Sequence, residues 1–147
     1  MSIRNVVPIE ILLIEDNPGD VDLTKFALKK AKMVNNVNVA IDGEDAMAFL
    51  RRKGNHAEAP RPDLVLLDIN LPKKSGMEVL AEMKNDEGLR RIPVIMLTTS
   101  EAEADIIKAY DLHANSYVAK PVDLGQFMEA IRSLDDFWLA VVKYPQG

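Results

Sequence analysis

Leu64-Val65-Leu66-Leu67 is apolar at every position, and then the run ends on an acid, Asp68. A strand with no polar alternation has no face to offer water, so it belongs inside a sheet covered on both sides, and sheets of that kind are parallel. Three more strand-like runs also end in functional groups. Ile9-Glu10-Ile11-Leu12-Leu13-Ile14 runs into Glu15 and Asp16, Val94-Ile95-Met96-Leu97 into Thr98-Thr99-Ser100, and Ser116-Tyr117-Val118-Ala119 into Lys120-Pro121. A fifth, Val37-Asn38-Val39-Ala40-Ile41, is shorter and more polar.

Helical patterns separate these runs. Asn17-Pro18-Gly19-Asp20 reads as a helix start, with Asn17 as cap and Pro18 at the first position, where a missing N–H costs nothing. The helix continues through Leu23, Phe26, Ala27 and Ala31 at spacings of three and four. A second is expected from about Glu44 to Arg52, a third burying Val79, Leu80 and Met83, and a fourth through Ile106, Ile107 and Tyr110 behind the capping-box pair Ser100 and Glu103. The last starts near Asp123 and shows Phe127, Ala130, Ile131, Leu134 and Trp138. Residues 53–62 and 70–76 read as loops. Five strands alternating with five helices predict an α/β fold, a doubly wound parallel sheet covered on both faces. In such sheets ligands bind beyond the carboxyl ends of the strands, so Glu15, Asp16, Asp68, Thr98 and Lys120 are expected on one rim.

Composition narrows the chemistry available to that rim. A chain of 147 residues with 48% hydrophobic content fits one domain with a real core, and the absence of cysteine excludes disulfides, thiolate metal sites and thiol nucleophiles. Two histidines are too few for a histidine-rich metal site. The net charge of -5 argues against general affinity for nucleic acid or an anionic membrane. With no membrane-length apolar stretch and no signal-peptide pattern at Met1-Ser2-Ile3-Arg4-Asn5, a cytoplasmic location is expected.

Gathered carboxylates without histidine or cysteine suit a hard cation held by oxygen, and Mg²⁺ fits best, with Mn²⁺ or Ca²⁺ as substitutes. A carboxylate can also attack phosphorus, and phosphoryl transfer asks the protein mainly for positioning and for positive charge on the transferred oxygens. Asp68, Glu15 with Asp16, Thr98 and Lys120 form a complete set for accepting a phosphoryl group. Each has a plainer reading taken alone: Asp68 as a turn cap, the two acids as partners of a helix dipole, Thr98 as a turn residue, Lys120 as a solvated side chain. Their convergence on one sheet edge favours the shared chemistry.

At these residues the sequence resembles the receiver domain of two-component response regulators. The resemblance rests on Leu13-Ile14-Glu15-Asp16, Leu67-Asp68-Ile69-Asn70-Leu71-Pro72, Gly76, Leu97-Thr98-Thr99-Ser100 and Tyr117-Val118-Ala119-Lys120-Pro121, in the family's order and approximate spacing. It implies a flavodoxin-like sheet of strand order 2-1-3-4-5, with Asp68 as phosphoacceptor. It also implies Mg²⁺ on Asp16, Asp68 and the backbone carbonyl of Asn70, with Glu15 acting through water. Thr98 and Lys120 would bind phosphoryl oxygens, Thr98 and Tyr117 would form the switch pair, and Lys120-Pro121 would be cis. Glu15 stands where the family more often has aspartate, and Thr99 is larger than its usual alanine or glycine.

Asn17-Pro18-Gly19-Asp20, the segment Leu71-Pro72-Lys73-Lys74-Ser75-Gly76 and Phe137-Trp138-Leu139 resemble the small single-domain regulators that partner phytochrome-type histidine kinases. The resemblance implies a stand-alone receiver over 1–147, with its core at about 9–135, a C-terminal extension at 136–147 and no effector domain. Its partner would be such a kinase, and its output protein contacts that include a homodimer through the fourth and fifth helices and fifth strand. No nucleic acid or membrane is expected as partner, and the chain would be a phosphoacceptor rather than an enzyme. The rival reading is a receiver-like dimerisation or binding module that works without phosphorylation.

Overall fold

The computed structural model describes residues 8–31, 34–99 and 116–134. Five strands, β1 (Ile9–Ile14), β2 (Asn35–Ala40), β3 (Leu64–Asp68), β4 (Val94–Thr98) and β5 (Ser116–Ala119), form one parallel sheet in the order β2-β1-β3-β4-β5. The helices among the described residues are α1 (Pro18–Lys29), α2 (Gly43–Leu50), α3 (Gly76–Lys84) and α4 (Leu124–Arg132), with one 3₁₀ turn at Gly54–His56. The helix expected through Ile106, Ile107 and Tyr110 lies outside the described residues, as do Trp138 and the tail. Among the described residues no helix is long and apolar enough to cross a membrane.

Side chains along a strand alternate between faces, and that parity divides the core into two layers. Leu12, Ile14, Val65, Leu67 and Met96 pack with Ala46, Phe49, Val79, Leu80 and Met83 of α2 and α3. Ile11, Leu13, Leu64, Leu66, Ile95 and Leu97 pack with Ala27 and Leu28 of α1 and Phe127, Ala130 and Ile131 of α4. Each large apolar side chain so buried contributes about 1.5–3 kcal/mol. All five residues of β3 are buried, as its unbroken apolar run requires of a central strand.

Two elements differ from the sequence-based expectation in detail. β2 starts at Asn35, before the valines, because this edge strand tolerates polar residues whose amides find partners: Asn35 Nδ2 donates to the Leu28 carbonyl at 3.1 Å and Asn36 Nδ2 to Glu10 Oε2 at 3.0 Å. Helix α1 forms where its cap and proline place it, but it buries Thr24, Ala27 and Leu28. Leu23 and Phe26 face outward at 50% and 59% exposure, and the Lys30 ammonium sits 4.1 Å from the Phe26 ring centroid.

The register aligns the carboxyl ends of the strands. Ile14 is level with Leu67, Asp68 with Leu97, and Thr98 with Ala119. The ladder continues one step beyond the strands, through Ile69 N–H to the Leu97 carbonyl at 3.2 Å and Lys120 N–H to the Thr98 carbonyl at 2.7 Å. Glu15, Asp68, Thr98 and Lys120 therefore leave the sheet along one edge.

Candidate functional site

That edge carries an ion cluster built on Lys120. Its Nζ lies 3.1 Å from Glu15 Oε1, 3.1 Å from Asp20 Oδ2 and 3.4 Å from Asp68 Oδ2, and the lysine side chain is only 10% exposed. Burial alone would lower the ammonium's pKa, but the carboxylates outweigh it and hold Lys120 above the ordinary lysine value, so it stays charged. The Lys120-Pro121 peptide that delivers it is cis.

The acids are held as firmly. Asp68 ends β3 at 2% exposure, and its Oδ1 accepts from the Asn70 N–H at 3.3 Å. Glu15 is fully buried, with Oε2 accepting from the Asn17 N–H at 3.2 Å. Burial, followed by hydrogen bonding and charge repulsion from Asp68, pushes the Glu15 carboxyl up to about 7 despite its bond to Lys120. Asp16 is exposed at the mouth. One oxygen from each of Glu15, Asp16 and Asp68 falls within 4.8 Å of the others. Hard oxygen donors this close, with one member driven toward its neutral form by burial and by the neighbouring acid, fit a hard divalent cation better than a softer metal.

Thr98 closes β4 at 4% exposure, one residue past the position level with Asp68. Thr99 after it is exposed. Tyr117 is half-buried on β5 beside Met96, its ring packed against the layer under α2 and α3, and burial raises the pKa of its hydroxyl. The backbone N–H of Asn70 points at Asp68, so the loop after β3 is tied to the carboxylate it follows.

Two participants, Asp20 and Gly43, are given no role at the site by the sequence, although Asp20 belongs to the Asn17-Pro18-Gly19-Asp20 helix start. Asp20 sits in the first turn of α1, which begins at Pro18, and reaches Lys120 from the solvent side. Its only sequence signal is an acid just after a helix start, which the helix dipole alone accounts for. Gly43 opens α2 against the loop after β3, where an added Cβ would stand 2.2 Å from the Lys74 carbonyl oxygen. Gly76 has the same role at Asp68, whose carbonyl oxygen would be 2.2 Å from such a Cβ.

A central buried carboxylate, flanking acids and a buried lysine at the carboxyl edge of a 2-1-3-4-5 sheet define a class, and the family model for the response regulator receiver domain matches residues 11–132. The chain belongs to that family, whose members are signalling phosphoacceptors rather than enzymes acting on a substrate pool. Among its relatives, the response regulator Rcp1 of Synechocystis is 43% identical over 145 residues, covering 99% of each chain. The structure of the Mn(2+)-bound form of Rcp1 superposes with a TM-score of 0.73 at 44% identity, covering 92% of this chain and 97% of that one. The bacteriophytochrome response regulator AtBRR matches with a TM-score of 0.85 at 46% identity, over 90% of this chain and 96% of that one. A phosphorylated cyanobacterial phytochrome response regulator, RcpA, gives 0.74 at 46% identity, over 92% and 97%.

Proposed function

We infer that this chain is a stand-alone response regulator that receives a phosphoryl group on Asp68 from a phytochrome-type histidine kinase. The observation that carries the reading is the 3.4 Å approach of the Lys120 ammonium to a carboxylate that is 2% exposed, beside the acidic triad. The kinase is inferred from the phytochrome and bacteriophytochrome regulators the chain resembles, and the stand-alone form from the end-to-end match with Rcp1.

Asp68 is the nucleophile because it is the central acid of the rim and its oxygens are fixed by Asn70 N–H and Lys120. Mg²⁺, for which Mn²⁺ or Ca²⁺ could substitute, would be held by Asp16, Asp68 and the Asn70 backbone carbonyl, with Glu15 through water, and would supply positive charge to the phosphoryl oxygens. Lys120 supplies a second positive charge as an ammonium donor. The Thr98 hydroxyl binds a further oxygen, and its movement is coupled to the ring of Tyr117, giving two conformations that differ in affinity for the phosphoryl group. Output through a homodimer would use β5 and α4, which carry Gln126, Glu129 and Arg132 at the surface; the remaining helix of that expected face lies outside the described residues.

Phosphotransfer from a phytochrome-type histidine kinase tests the reading. Wild type takes up base-labile label and Asp68→Asn takes up none; label persisting on Asp68→Asn removes Asp68 from the role.

A further inference from the structure

We propose that Asp20 is a positioning residue that competes with the phosphoryl group for the Lys120 ammonium, and so opposes the phosphorylated form. The inference rests on the reading of Asp68 as phosphoacceptor. An ammonium has three N–H donors, and here Glu15, Asp20 and Asp68 surround it. The two shorter contacts, both 3.1 Å, go to Glu15 and Asp20, and the longest, 3.4 Å, goes to the nucleophile. Lys120 is thus drawn away from the group it serves.

Transfer from phosphohistidine breaks the P–N bond, whose electron pair stays with the imidazole, and forms a bond from an Asp68 oxygen to phosphorus. No proton leaves Lys120 in that step. The phosphoryl oxygens that arrive need N–H donors, so Lys120 must release one partner. Glu15 is fully buried, so water could not replace the ammonium there, whereas the Asp20 side chain is 31% exposed and water can take over its contact. Asp20 is the partner released, and its tendency to recapture Lys120 disfavours the phosphorylated form. It also adds a negative charge at the mouth through which an anionic group arrives.

The test is calorimetric binding of beryllofluoride, a phosphoryl mimic, to full-length protein in saturating Mg²⁺. Because water can take over the contact on the partly exposed Asp20 carboxylate, Asp20→Ala and Asp20→Asn are expected to bind roughly three- to fivefold more tightly than wild type. Asp20→Glu, which keeps the charge, should return toward wild type. Asp22→Asn removes an exposed acid from the same helix and should change nothing, which separates release of Lys120 from a general loss of charge. The ¹⁵N resonance of the Lys120 ammonium should move in Asp20→Asn and stay put in Asp22→Asn. Unchanged or weaker binding by both Asp20→Ala and Asp20→Asn, or an equal gain in Asp22→Asn, overturns the proposal while leaving Asp68 in its role. Wild-type protein that binds no beryllofluoride overturns the phosphoacceptor reading and this proposal together.

Discussion

Lys120 is a single ammonium set against Glu15, Asp16, Asp20 and Asp68, and the excess negative charge falls on the acid least able to reach water. Burial first, and then Asp68 beside it, raise the Glu15 carboxyl to about 7 in the metal-free protein, against an ordinary value of 4.5. Between those values the folded chain binds more protons than the unfolded one, so the stability tied to Glu15 is full below about pH 4.5 and is lost as pH rises through about 7. Glu15→Gln fixes the neutral form. Urea unfolding in chelator should therefore show wild type losing stability relative to Glu15→Gln between pH 5 and 8; parallel profiles would contradict the assignment. The acids of the rim were legible because each interrupts or ends an apolar run that has no other use for a charge. Asp20 was not, because its partner lies 100 residues away and the contact depends on how α1 sits over the sheet.

Two helix starts fix the loop that carries Asp68 into α3. Ser75 caps α3 in a capping box with Glu78, and Gly76 then lets the helix pass against the Asp68 carbonyl. From the other side Gly43 admits the Lys74 carbonyl, while Lys73 reaches Asp42, the cap of α2, at 3.7 Å and Lys74 pairs with Glu82. A methyl group at Gly76 or Gly43 meets backbone oxygen, which cannot rotate away. Gly76→Ala and Gly43→Ala should each cost on the order of 2 kcal/mol, seen as a fall in Tm of roughly 4–8 °C for a domain of this size. Gly125→Ala, whose new Cβ would stand 3.3 Å from a side-chain oxygen of Asp123, should be close to neutral. Melts of Gly76→Ala indistinguishable from wild type would show that the loop yields. The starts of α1, α3 and α4 were legible from caps and spacing, since these signals are local. The buried face of α1 was not, because Leu23 and Phe26 carry the same spacing signal as Ala27 and Leu28, and only packing on the sheet decides between the two faces.

Parallel strands all end on the same edge, so this topology concentrates at one place whatever charges end them. Five strand-like runs alternating with helical patterns predicted a doubly wound sheet, and the unbroken apolar run of β3 placed it inside. Strand order was not readable from periodicity and came only through family resemblance, because pairing depends on contacts that no local pattern records. The same concentration makes the apo protein electrostatically strained and couples the whole fold to cation binding: a divalent ion recognises Glu15, Asp16 and Asp68 only when the sheet brings their oxygens within 4.8 Å of one another. Mg²⁺ at about 100 times its dissociation constant should then add roughly 2.7 kcal/mol of stability, a rise in Tm of about 5–10 °C. Because binding must displace the proton that Glu15 retains up to about pH 7, the gain at one fixed Mg²⁺ concentration should be larger at pH 8 than at pH 6. Asp16→Asn removes one of the three acids without touching the Lys120 contacts and should lose most of the gain at both pH values. Differential scanning calorimetry with and without Mg²⁺ measures each quantity. A gain that is independent of pH, or that survives intact in Asp16→Asn, would place the ion away from this edge.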